Sequence, residues 1–113
     1  MPIANCHLTA DAYKSYRDDA IDLIELWSAH SAESAKHMTI NFIHIDEQLG
    51  QRCAVMAWLY LPTLWPVTSI EKLQTGLASA LAEGLQLNPD EVQVITTSIS
   101  SGYVVERGEL LQW

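Results

Sequence analysis

One spacing constrains the fold of this 113-residue chain more than any other feature. Tyr16 matches Ile70, Leu23 matches Leu77, Trp27 matches Leu81 and Ile40 matches Val94, each pair 54 residues apart. Matching apolar positions at one offset are expected of a duplicated unit. Each copy reads as strand, helix, strand.

In the first copy, residues 3–8 are a compact, mostly apolar strand. Thr9 or Asp11 then caps a helix. Along that helix Tyr16, Ala20, Leu23, Ile24 and Trp27 recur at helical spacing, while Arg17, Asp18, Asp19, Asp22 and Glu25 take the other face. It frays over residues 28–35, and residues 38–45 alternate as a second strand. In the second copy, residues 53–61 form a strand and Pro62 and Pro66 bracket a loop. Ser69 is the expected N-cap of a helix carrying Ile70, Leu73, Leu77, Ala80, Leu81 and Leu85. Asn88-Pro89-Asp90 turns into a fourth strand, residues 92–99, and a tail with Gly102 and Gly108 follows.

Right-handed crossovers put both helices on one side of a shared sheet. The expected class is therefore α/β (α+β): two fused βαβ units forming a four-stranded sheet with two helices on one face. A single domain spans residues 1–113, with repeat one at about 2–50 and repeat two at about 51–113. Strand 53–61 is apolar on both alternating sets, so the uncovered face needs a partner. A homo-oligomer with sheets packed around a common axis follows.

Composition narrows the function. Fourteen acidic against six basic residues give a net charge of −8, which repels nucleic acid and anionic membranes. No apolar run reaches the roughly 18 residues of a membrane span, and no leader pattern precedes the first strand. Cys6 and Cys53, both in apparent strands, read as buried free thiols of a cytoplasmic protein. His7, His37 and His44 have no metal-ligand spacing and read as structural; no metal or cofactor is expected.

The chemistry points to the chain start, Met1-Pro2-Ile3-Ala4-Asn5. Methionine before the small Pro2 is normally clipped, leaving a secondary amine that titrates at about 7.7–8.0 in model compounds. Burial lowers that value. An amine fixed at the head of a strand is a candidate general base or acid at neutral pH.

Pro2-Ile3-Ala4-Asn5-Cys6-His7-Leu8 resembles the first strand of the tautomerase superfamily, founded by 4-oxalocrotonate tautomerase. Residues 92–99, then Gly102 and Gly108-Glu109-Leu110, resemble its second strand and closing hairpin. The doubled length is similar to the cis-3-chloroacrylic acid dehalogenase and macrophage migration inhibitory factor branches, which implies a homotrimer. Met56 stands where a second proline would sit, implying one amine per chain. Ala29-His30 with Asn41-Phe42, and Val105-Glu106, look like the dehalogenase branch. The resemblance implies Pro2 as proton donor or acceptor, Glu106 as the residue that activates or positions water, and His30 as a contact to substrate or water. At a helix end, His30 equally suits a cap complementing the helix dipole.

Several positions depart from that pattern. The loop after the third strand, where the dehalogenases place two arginines, contains no cation. Gln93 stands in place of the founding enzyme's arginine, Val104 replaces its hydrophobic wall residue, and Ile95 falls where the dehalogenases have a tyrosine. Arg107, Arg52 or Arg17 could replace the missing clamp for a substrate carboxylate, and of these only Arg107 lies beside a matched motif. Trp65 would make the pocket apolar. Three readings follow for a small-molecule substrate or ligand: a keto–enol tautomerase acting on a 2-oxo acid, a hydratase- or dehalogenase-type lyase, or a trimer that binds without catalysis.

Overall fold

Parallel and antiparallel pairing alternate across one mixed sheet in the computed structural model, which describes all residues from Met1 to Trp113. The strands are β1 (Ile3–Leu8), β2 (Thr39–His44), β3 (Val55–Pro62) and β4 (Val92–Ile99), in the spatial order β2-β1-β3-β4. β1 runs parallel to β2 and β3 parallel to β4, while β1 and β3 meet antiparallel at the centre. This is the doubled strand–helix–strand arrangement expected from the 54-residue offset. The helices are α1 (Ala10–Asp19), α2 (Leu23–Ser31) and α3 (Val67–Gly84), and a short hairpin of β5 (Val104–Glu106) and β6 (Glu109–Leu111) follows.

The first expected helix is broken in two. Thr9 caps α1, its side chain accepting from the Ala12 amide at 3.3 Å. The helix then ends at Ala20 in the left-handed region, φ 51°. Asp18 and Asp19 explain the stop: acidic side chains at a helix C-terminus oppose its dipole. Asp22 sits two residues beyond the stop, where a carboxylate is favourable. It caps α2 by accepting from the Glu25 amide at 3.1 Å. In the second repeat the helix starts earlier than Ser69 predicts, because Pro66 takes the cap position with φ −67° and Ser69 falls in the first turn.

One apolar cluster joins the helices to one sheet face. Ala4, Cys6 and Leu8 of β1 and Val55, Ala57, Leu59 and Leu61 of β3 point into it, against Leu23 and Trp27 of α2 and Leu73, Leu77 and Leu81 of α3. Trp27 is fully buried and donates its indole N–H to the Leu73 carbonyl at 3.0 Å. Gly76 lets the helices close up, since a Cβ there would lie 2.9 Å from the Ser31 nitrogen.

The register corrects one detail of the duplication. Ile3 pairs with Thr39, whereas Met56 pairs with Gln93, so the central strands repeat one residue short of the helices. Pro2 and Val55 are both fully buried, and Val55, not Met56, stands in the place of Pro2. Met56 points to the other face with Ile3, Asn5, Trp58 and Tyr60. That face is more mixed than residues 53–61 alone suggest. Asn41 donates to Asn5 across it at 2.9 Å.

Cys6 and Cys53 are both free thiols, as expected, but only Cys6 is fully buried; Cys53 precedes β3. Burial pushes the Cys6 thiol up to about 12. A thiol held neutral is a poor nucleophile. Iodoacetamide at pH 8 is therefore expected to leave Cys6 unmodified in the folded protein and to alkylate it in urea. Intact mass reads the difference. No helix is long and apolar enough to cross a membrane.

Candidate active site

Parallel pairing of β1 with β2 brings the leading ends of both strands together. What precedes β1 is the amino terminus; what precedes β2 is a 3-10 turn, Ala35–His37, capped by the Ser34 hydroxyl, which accepts from the Lys36 amide at 3.2 Å. Between them lies a cavity of about 380 Å³. Met1, Ile3, Lys36, His37, Met38 and Thr39 form one side, and Val104, Val105, Glu106 and Arg107 close it from the hairpin. Pro2 sits fully buried between Met1 and Ile3, its carbonyl accepting from the Thr39 amide at 3.0 Å.

The hairpin's reach depends on its turn. Arg107 and Gly108 both have positive φ, 53° and 79°, the signature of a two-residue turn whose twist suits a β-ribbon. Glu106 and Glu109 flank the turn as a pair. At the far end of the ribbon the Trp113 indole donates to the Thr63 hydroxyl at 3.0 Å. That bond ties the tail to the loop after β3.

Charge at this cavity runs against the protein's overall acidity. Two of its six lysines and arginines, Lys36 and Arg107, line it with His37 and the terminal amine. Burial holds the Met1 amine below the usual α-amino value, and the Glu106 carboxylate opposes that shift by favouring the charged form. The amine and the carboxylate thus sense each other. An anion, a proton acceptor and a proton donor can all be accommodated here.

Of the residues singled out in the sequence, Val104, Glu106 and Arg107 line this cavity, and Pro2 lies buried in the chain between its lining residues Met1 and Ile3. The others lie elsewhere. His30 Nε2 is 2.6 Å from Glu83 Oε2, joining α2 to α3, and is not among the cavity's lining residues. Trp65 packs against the core. Gln93 lines a different cavity beside Met56. Lys36, which draws no reading from the sequence, and His37, which reads there as structural, do line the cavity. The signal that could have found them is topological: in a parallel pair, residues before β2 flank residues before β1. A larger cavity, about 650 Å³, lies at the opposite end of β1 around Thr9, Asp46, Glu47 and Glu91, and of the candidate arginines it includes Arg52. No cluster of three or more histidine, cysteine or acidic side chains could hold a metal ion.

No family model matches the sequence, and no curated protein matches it either. The fold is that of solved tautomerase-superfamily structures. N1, a member of the cis-3-chloroacrylic acid dehalogenase family, superposes with a TM-score of 0.73 at 18% identity, over 96% of this chain and 82% of that one. Native fused 4-OT superposes at 0.74 with 10% identity, over 96% and 94%. R7 fused 4-OT, solved as an asymmetric trimer, gives 0.73 at 14% identity with the same coverage.

Proposed function

We propose that this chain, which shares its fold with the tautomerase superfamily, is an isomerase whose freed Pro2 amine moves a proton between oxygen and carbon of a 2-oxo acid. One observation carries the reading: the amino terminus, Glu106, Lys36, His37 and Arg107 share one cavity. With Met1 removed, the amine passes to Pro2, which is buried between the lining residues Met1 and Ile3. Its neutral nitrogen takes the enol hydroxyl proton and returns it to the adjacent carbon, leaving the ketone. Lys36 and Arg107 hold the substrate carboxylate in place of the cations missing from the loop after β3. Thr39 and Val104 contribute wall.

Three copies packed through the open sheet faces complete the assembly. The exposed Trp58 and Ile43 on that face, and the ribbon's exposed Tyr103, Val105 and Leu110, supply the apolar surface for it. A two-stranded ribbon is marginal by itself. The trimeric fused 4-OT that shares this fold supports the same number.

A second reading rests on the position of Glu106 beside the amine. A carboxylate there can activate water for addition across an activated double bond, with the Pro2 ammonium as proton donor. Glu106→Gln separates the two. Proton acceptance needs the neutral amine, so kcat/KM for enol phenylpyruvate falls as pH drops through the amine pKa. At the Met1 amine burial lowers the pKa and the Glu106 charge raises it, and in this proposal the freed Pro2 amine inherits the same opposition. Removing the charge therefore moves the acidic limb to lower pH. In the isomerase reading the plateau rate survives within about threefold, since proton transfer stays with Pro2. A collapse of the plateau would shift the assignment to Glu106 and the lyase reading.

A further inference from the structure

The duplication builds a second cavity in the other repeat. It lies at the leading ends of β3 and β4, as the amine cavity lies at those of β1 and β2. It measures about 260 Å³ and is lined by Gln51, Arg52, Cys53, Met56, Asp90, Val92 and Gln93. The register makes the equivalence explicit: Ile3 opposite Thr39 becomes Met56 opposite Gln93. The turn before β2 becomes the 3-10 turn Pro89–Glu91 before β4.

The charges have changed places. Where the first turn presents Lys36, the equivalent position of the second presents Asp90. Where the first repeat enters β1 with the chain terminus, the second enters β3 with Gln51-Arg52-Cys53. The walls are held by their own bonds. The Cys53 amide donates to Gln48 Oε1 at 2.7 Å, and the Ala54 amide donates to the Glu91 carbonyl at 3.0 Å. The Asn88 amide donates to Glu91 Oε2 at 3.0 Å, which pins the turn bearing Asp90. Cys53 spends its thiol hydrogen on the carbonyls of Val55 and Glu91, at 3.0 and 3.3 Å. It forms wall and offers no nucleophile.

We infer that this second cavity is a binding site for a small zwitterion of the amino-acid class. Arg52 receives the carboxylate, Asp90 receives the ammonium, and the amides of Gln51 and Gln93 supply the remaining donors and acceptors. Met56 and Val92 give a short side chain an apolar wall. A simple anion would meet Asp90 uncompensated, and a simple amine would meet Arg52. The two cavities of one chain thereby select different ligands: an anion at the amine, a zwitterion at its counterpart. This inference is independent of catalysis at Pro2.

Amide chemical-shift titration of the full chain with L-alanine, propionate and propylamine tests it. Saturable shifts at residues 51–53 and 90–93 are expected with L-alanine, with affinity for each single-charge probe lower by about tenfold or more. Arg52→Gln and Asp90→Asn, both at exposed positions, should each weaken L-alanine by a similar factor while leaving the spectrum folded. Shifts that map to Lys36 and Arg107 would overturn the inference. So would equal binding of all three probes, or no saturation with L-alanine.

Discussion

Pro2→Ala is expected to lower kcat/KM for ketonisation of enol phenylpyruvate by about a hundredfold while leaving the fold intact. Alanine after the initiator methionine is still processed, so the variant keeps an α-amine at the same place in the chain. What it loses is the ring. The pyrrolidine ring fixes its nitrogen in one orientation at the head of β1, where the Pro2 carbonyl accepts from the Thr39 amide, whereas a primary amine on a free chain end rotates. The loss therefore measures positioning of the base more than its presence. Ultraviolet absorbance follows the rate, and the far-ultraviolet spectrum and melting temperature check the fold. A rate within threefold of the parent would mean that the ring nitrogen is not the group that moves the proton.

Trp27→Ala is the substitution expected to cost most stability, about 3–5 kcal/mol. Trp27 is the largest fully buried side chain, and its indole N–H is satisfied by the Leu73 carbonyl across the α2–α3 contact. Truncation opens a cavity where Leu73, Leu77 and Leu81 converge and removes that cross-helix bond. Against a typical domain stability of about 5–15 kcal/mol this is a large fraction. Urea unfolding followed by far-ultraviolet dichroism reads the shift in midpoint. Trp27→Phe, which keeps an aromatic ring and loses the N–H, should cost clearly less. Equal losses for both would place the stabilisation in the hydrogen bond and not in packing.

The strands and their order were legible because local pattern and tertiary need agree there. Residues 3–8 are compact and mostly apolar, residues 38–45 alternate, and the alternate members of β1 and β3 that face the helices are the buried ones. The helix break was less legible. Tyr16, Ala20, Leu23, Ile24 and Trp27 carry one stripe through Ala20, and a periodicity argument registers the stripe while ignoring the acidic end that stops the helix. The one-residue slip between repeats was invisible for a related reason. The offset was measured on helices and an outer strand, whereas the central strands obey β-register.

At the site, Val104, Glu106 and Arg107 come to the cavity beside the amino terminus because the terminal strand and the hairpin are both anchored by backbone pairing. Lys36 drew no reading and His37 read as structural because nothing local distinguishes them from solvated residues; only the parallel pairing of β1 and β2 brings them to the amine. His30 illustrates the converse. Its place at a helix end was read from sequence, but Glu83 lies 53 positions away in the chain and reaches it only through the packing of α3 on α2. Long-range partners of that kind leave no trace in spacing.

The most direct test of the proton-transfer assignment compares two forms of one sequence. Protein with Met1 removed and protein with Met1 retained, the latter made with the methionine aminopeptidase inhibited, differ at Pro2 only in whether its nitrogen is an amine or an amide. Intact mass gives the fraction of each form, and ketonisation of enol phenylpyruvate gives the rate. The proposal predicts a rate proportional to the Met1-free fraction, with the retained form at the buffer background. Equal rates in the two forms would contradict it, since an amide nitrogen has no basic lone pair to carry the proton.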